Sequence, residues 1–128
     1  MVKDEDAAAV VGHLIEAFNQ RDAGAIASLL HEDIVCAGIP IGTAHGRTAT
    51  MELLEPFLAA EAIDWQVHAM AATGRIVLNE RTDRFRFSGR DWTQVRAMGI
   101  FEIATDGRII GWRDYFDAAE LAAAMPAI

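Results

Sequence analysis

Apolar positions change their period once along the chain. Ala7, Val10, Val11, Leu14, Ile15 and Phe18 recur at three- and four-residue spacing, which predicts an amphipathic helix. The acidic residues ahead of them suit the positive end of its dipole. Asp22 is placed to cap a second, short helix that turns Ile26, Leu29 and Leu30 inward. Residues 33–38 read as a brief strand, followed by a loop at Pro40-Ile41-Gly42. A third helix starts near Thr48 and carries Met51, Leu54, Phe57 and Leu58, with Pro56 kinking it or marking its last turn. After Ala62 the pattern becomes one of strands, at 63–72, 76–87, 92–104 and 109–116. Thr73-Gly74, Ser88-Gly89 and Asp106-Gly107 separate them, and turns of hairpin length imply an antiparallel meander. Asp117 then caps a last short helix through Leu121. Helices first and a curved, mostly antiparallel sheet afterwards make an α+β plan, with a pocket between the concave face and the helices.

Strand parity locates the chemistry, because successive side chains point to opposite faces. On the 76–87 strand one face holds Val77, Asn79, Arg81, Asp83, Phe85 and Phe87, and the other holds Ile76, Leu78, Glu80, Thr82, Arg84 and Arg86. The first face is apolar at both ends yet carries Arg81 and Asp83 between them. On the last strand Ile110, Trp112, Asp114 and Phe116 share a face on which Asp114 is the only charge. Ionisable groups directed at a core are costly unless they pair. A guanidinium can bridge two carboxylates, so one network of Asp83, Arg81 and Asp114 is the economical arrangement. Two acids against one arginine leave an excess negative charge, and burial then favours keeping one carboxyl protonated near neutral pH. A protonated acid beside an ionised one is the requirement of acid/base chemistry. The same parity also fits a buried ion-pair network that only fixes register, or a bulge that sends one charge to solvent.

Composition narrows the setting. The 128 residues are 52% hydrophobic and 23% charged, enough for one domain spanning 1–128 with a real core and unlike a disordered chain. Eleven basic residues against 19 acidic ones give a net charge of -8, which disfavours nucleic acid as a partner. No apolar run approaches the ~20 residues of a membrane span, so no membrane partner is expected. The acidic start, Met1-Val2-Lys3-Asp4-Glu5-Asp6, does not resemble a secretion signal, and a cytoplasmic location is the expectation. The single cysteine, Cys36, excludes an internal disulfide and is best read as a small buried hydrophobe. His13, His31, His45 and His68 show no ligand spacing, so no metal is expected.

Leu78-Asn79-Glu80-Arg81-Thr82-Asp83 and Gly111-Trp112-Arg113-Asp114-Tyr115-Phe116-Asp117 resemble the limonene-1,2-epoxide hydrolase family. That family lies within the SnoaL-like, nuclear-transport-factor-2-like group of cone-shaped α+β folds. The Asp22 helix start, Glu32-Asp33, Gly46-Arg47 and Met98-Gly99-Ile100-Phe101-Glu102 fall in register with it, so the resemblance covers nearly the whole chain. It implies a catalytic triad of Arg81, Asp83 and Asp114. Hydrolysis would be a single step that needs no metal or cofactor, with Asp114 taking a proton from the attacking water and protonated Asp83 donating to the epoxide oxygen. Arg81 would hold both carboxyls. The implied apolar lining is Phe18, Phe57, Phe85, Val95, Ala97, Trp112 and Phe116, each of which also reads as ordinary core.

One departure stands out. The family positions its water with a tyrosine and an asparagine, and those positions here are Cys36 and Gly38. Parity still directs both at the pocket, where Asn79, Thr43 or His45 are candidates to supply a polar contact. The resemblance leaves three functions open: an epoxide hydrolase acting on a small lipophilic substrate, an acid/base isomerase or cyclase of the SnoaL-like kind, and a binding module without turnover. Arg84 and Arg86 belong to the outer sheet face with Trp92, Met98 and Ile100, a surface of the type that forms a homodimer.

Overall fold

A computed structural model describes residues 4–126. Met1, Val2 and Lys3 lie outside the described residues, and with them the start of the acidic run assigned to the chain's beginning. Helix α1 (Asp4–Asn19) buries Ala7, Val11, Leu14, Ile15 and Phe18 of the expected stripe, while Val10 is only partly buried at its edge. Helix α2 (Ala23–Leu29) starts at Asp22, whose Oδ1 accepts the Ala25 N–H at 3.0 Å. It is shorter than its apolar pattern implies: Leu30 is its C-cap and also opens strand β1 (Leu30–Gly38). The buried Leu30 therefore serves the sheet rather than the helix.

The loop expected at Pro40-Ile41-Gly42 is a hairpin turn leading into strand β2 (Gly42–His45), where no strand was expected. Four residues, none buried, carry too little alternation to announce themselves. Gly46 follows at φ 90, a left-handed conformation that a side chain would strain, and launches helix α3 (Arg47–Leu58). Pro56 lies within the last turn of α3.

Four long strands follow: β3 (Ala62–Thr73), β4 (Ile76–Arg86), β5 (Trp92–Ile103) and β6 (Ile109–Tyr115). They pair antiparallel in sequence order, the meander that the glycine turns predict. The sheet order is β2-β1-β6-β5-β4-β3, because β1 runs parallel to β6 and extends the meander on its far side. Helix α4 (Ala118–Ala124), capped by Asp117, packs on β5. Phe87 and Phe116 fall just outside their strands but keep their orientation inward or half inward.

The alternation on β4 is unbroken: Val77, Asn79, Arg81, Asp83 and Phe85 are buried, and the residues between them are not. On β6 the expected face needs one correction. The β5–β6 register shifts between Glu102 and Ile103, so Ile109 is fully buried where Ile110 was expected, while Trp112 and Asp114 keep their places. Arg84 and Arg86 lie on the outer face, with their guanidinium carbons 4.8 and 5.7 Å from the Trp92 ring. Met98 is exposed beside Tyr115 on that face. No helix among the described residues is long and apolar enough to cross a membrane.

Candidate active site

Register brings the three charges together. In the β5–β6 ladder Asp114 pairs with Gly99, and in the β4–β5 ladder Gly99 pairs with Asn79, so the Asp114 side chain reaches across β5 toward Arg81. All five guanidinium N–H groups are used. Arg81 Nε and Nη2 donate to the two oxygens of Asp83 at 2.9 Å each. Nη2 also donates to Asp114 Oδ2 at 2.8 Å, and Nη1 donates to Asp114 Oδ1 at 3.2 Å and to Asn79 Oδ1 at 2.9 Å. Trp112 Nε1 adds a 2.8 Å donation to Asp114 Oδ1. Stripping an ion of water costs several kcal/mol, and only this degree of pairing offsets it for an arginine with no exposure.

The network occupies space that a side chain on β5 would take. A Cβ on Gly99 would stand 2.6 Å from Arg81 Nη1 and 2.7 Å from Asp114 Oδ1. Glycine at 99 is thus a requirement of the network, and nothing in its local sequence pattern marks it.

The charges are divided as two acids and one base in a dry place. Burial pushes the Asp83 carboxyl up to about 6; Arg81's charge and hydrogen bonds pull it down without cancelling that, and the negative charge of Asp114 raises it again. For Arg81, burial works against the charge, but Asp114 and Asp83 outweigh it and raise its pKa, keeping it a guanidinium. Burial and then the charge of Asp114 push the Cys36 thiol up to about 12, so this sulfur is held as the thiol and not as a nucleophile.

Asp83 and Asp114 open onto a cavity of about 70 Å³ between the sheet and helices α3 and α4. Of the expected lining, Cys36, Gly38, Phe57, Phe85, Val95, Ala97, Trp112 and Phe116 border it. Phe18 does not: it is fully buried behind the wall, stacked on Trp65. Asn79 does not either; it lies beneath the wall as an acceptor for Arg81. Thr43 and His45 sit exposed on β2 and are absent from the lining. Trp65, Ala37, Ile41, Leu53, Leu54 and Leu121 complete the wall and are not in the expected lining. A Cβ on Gly38 would lie 2.9 Å from Ile41 Cγ1 and 3.3 Å from Phe116 Cε1, so apolar groups occupy the ground where an asparagine would stand. Among the described residues no three His, Cys, Asp or Glu side chains gather as metal ligands.

A curved sheet and helices closing over an acid pair in an apolar pocket define a nuclear-transport-factor-2-like, SnoaL-like fold. The epoxide hydrolase/cyclase-like enzyme SalBIII, which has a role in pyran ring formation in polyether salinomycin, shares it with a TM-score of 0.84 at 17% identity, over 94% of this chain and 97% of that one. More narrowly, the chain belongs to the limonene-1,2-epoxide hydrolase catalytic domain family, whose pattern matches residues 5–127. It is 31% identical over 107 residues to the epoxide hydrolase EphG of Mycobacterium tuberculosis (strain ATCC 25618 / H37Rv), covering 84% of this chain and 70% of EphG. A solved M. tuberculosis epoxide hydrolase of the same limonene-epoxide type superposes with a TM-score of 0.81 at 29% identity, over 95% of this chain and 90% of that one.

Proposed function

We propose that this chain is a cofactor-independent epoxide hydrolase that adds water to a small lipophilic epoxide and yields a vicinal diol. The observation that carries the reading is one buried guanidinium shared by two carboxyls, both of which open onto an apolar cavity. Asp114, ionised, takes a proton from water as the water oxygen bonds to an epoxide carbon. The carbon–oxygen bond of the ring breaks, and Asp83 gives its proton to the departing oxygen. Arg81 keeps the carboxyls in place and favours one proton between them, so that acid and base are ready together. The reaction ends with the proton on Asp114 and the charge on Asp83, and a single proton exchange resets the pair. The walls supply volume and little polarity, which suits a substrate whose one polar group is its epoxide.

The test is diol formation from terpene, cyclic and aryl epoxides in ¹⁸O-labelled water. One labelled oxygen per diol, lost with Asp114→Asn and Asp83→Asn, is the expected result. Label entering an enzyme carboxylate in a single turnover would overturn direct attack by water. A second reading, an acid/base isomerase or cyclase, draws on Cys36 and Gly38: with Ala37 they are what β1 brings to the cavity wall, and none of the three is a strong hydrogen-bonding group that could orient a water. Exchange of solvent deuterium into the α-carbon of a bound ketone would favour that reading.

A further inference from the structure

Trp65 pairs with Asp83 in the β3–β4 ladder, so the two side chains are neighbours on the inner face, and it lines the same cavity. Its place is fixed from several directions. Phe18 stacks on the indole with ring centroids 4.0 Å apart, and Arg81 Cζ lies 4.7 Å from the ring centroid. Asn19, at the end of α1, clamps its backbone: the Trp65 N–H donates to Asn19 Oδ1 at 2.7 Å, and Asn19 Nδ2 donates to the Trp65 carbonyl at 3.2 Å.

A side chain held this firmly is expected to have its polar atom satisfied, and it does not. Among the described residues two buried side-chain polar atoms lack a partner, Trp65 Nε1 and Asn79 Nδ2, and of these two residues only Trp65 borders the cavity. An unmet buried N–H is left without the hydrogen bond it gave up to water, and that is unfavourable. Indole nitrogen can only donate, so its complement is an acceptor oxygen. The other indole bordering the cavity is already committed, since Trp112 Nε1 donates to Asp114.

We propose that Trp65 is a positioning residue whose Nε1–H donates to an oxygen of the bound ligand, the epoxide oxygen beside Asp83 and then the hydroxyl formed from it. The proposal rests on the hydrolase reading for the identity of that oxygen, but not for the existence of the contact. A donor that meets an oxygen on which negative charge builds lowers the barrier more than it tightens binding. It also makes the pocket selective for ligands that bring an acceptor oxygen to the Asp83 side, because a hydrocarbon of equal shape leaves the N–H unmet.

The test uses the whole chain with ¹⁵N-labelled indoles, whose three side-chain signals are assigned with Trp65→Phe and Trp92→Phe. Cyclohexanecarboxamide, which is not turned over, is compared with methylcyclohexane. The expected result is a downfield move of the Trp65 indole proton with the amide alone, and amide binding about tenfold tighter than the hydrocarbon. Trp65→Phe, which keeps the stack on Phe18, should erase that preference. On an epoxide that the wild type hydrolyses, it should lower kcat about tenfold with KM little changed. An indole proton unmoved at saturation, or an amide that binds no tighter than the hydrocarbon, overturns the assignment. Failure of every epoxide to react would overturn the hydrolase reading and leave the indole readout standing.

Discussion

Arg81 and Arg84 lie on one strand and face opposite ways, and the contrast between them explains how this sheet separates a buried ion network from a solvated one. Arg81 has no exposure and spends all five donors on Asp83, Asp114 and Asn79. Arg84, on the outer face, makes a 3.3 Å contact with the half-exposed Asp64 and rests against Trp92. The residue type is the same; parity alone decides whether the charge meets a dry pocket or water. A buried ion must be fully paired to be tolerated, whereas a surface pair is screened and contributes little.

The largest expected effect comes from breaking the inner side. Arg81→Gln strands two carboxyls in the cavity wall and should cost about 3–5 kcal/mol in urea unfolding, with diol formation abolished. Next is Gly99→Ala, whose added methyl meets Arg81 Nη1 and Asp114 Oδ1 at under 3 Å. It should cost about 1–3 kcal/mol by the overpacking it forces and remove turnover. Its outer counterpart is Gly12→Ala on α1, where a Cβ meets nothing within 4 Å. Thermal melts should show Gly12→Ala stabilised by about 0.5–1 kcal/mol.

Acidity sharpens the same contrast. Because burial lifts Asp83 to about 6, its proton is present below that value and lost above it. The kcat/KM of the wild type should therefore fall as pH rises through about 6. The sign for stability is also downward. Between the ordinary carboxylate value of 3.8 and about 6 the unfolded chain releases the proton first, so the folded state loses ground as pH rises through that window. The difference in melting temperature between wild type and Asp83→Asn should narrow or reverse across it, and a difference constant with pH would contradict the raised acidity. The smallest effect belongs to Arg84→Gln, which should shift stability by under ~1 kcal/mol in a urea titration and leave diol formation untouched.

Much of this was legible in the order of residues, for reasons that differ from element to element. The β4 alternation is read directly, since a period of two over eleven residues places Arg81 and Asp83 on the buried side whatever their neighbours do. The meander is equally local, because each hairpin turn lies between the strands it joins. Less accessible were β2, which has no buried position, and the parallel pairing of β1 with β6, whose partners Gly38 and Asp114 are remote in the chain. The shift that buries Ile109 in place of Ile110 is likewise a property of the β5–β6 ladder and leaves no trace in β6 itself.

What the sequence determined alone is which side chains share a face and which turns join the strands, because strand geometry and glycine conformation are set within a few residues. Tertiary structure decided the rest: that Asp114 crosses β5 to reach Arg81, that Gly99 leaves room for the meeting, and that Trp65 enters the cavity wall while Phe18 stays behind it. Those outcomes depend on register between strands and on which atoms fill the same volume, and both are fixed only when distant segments pack.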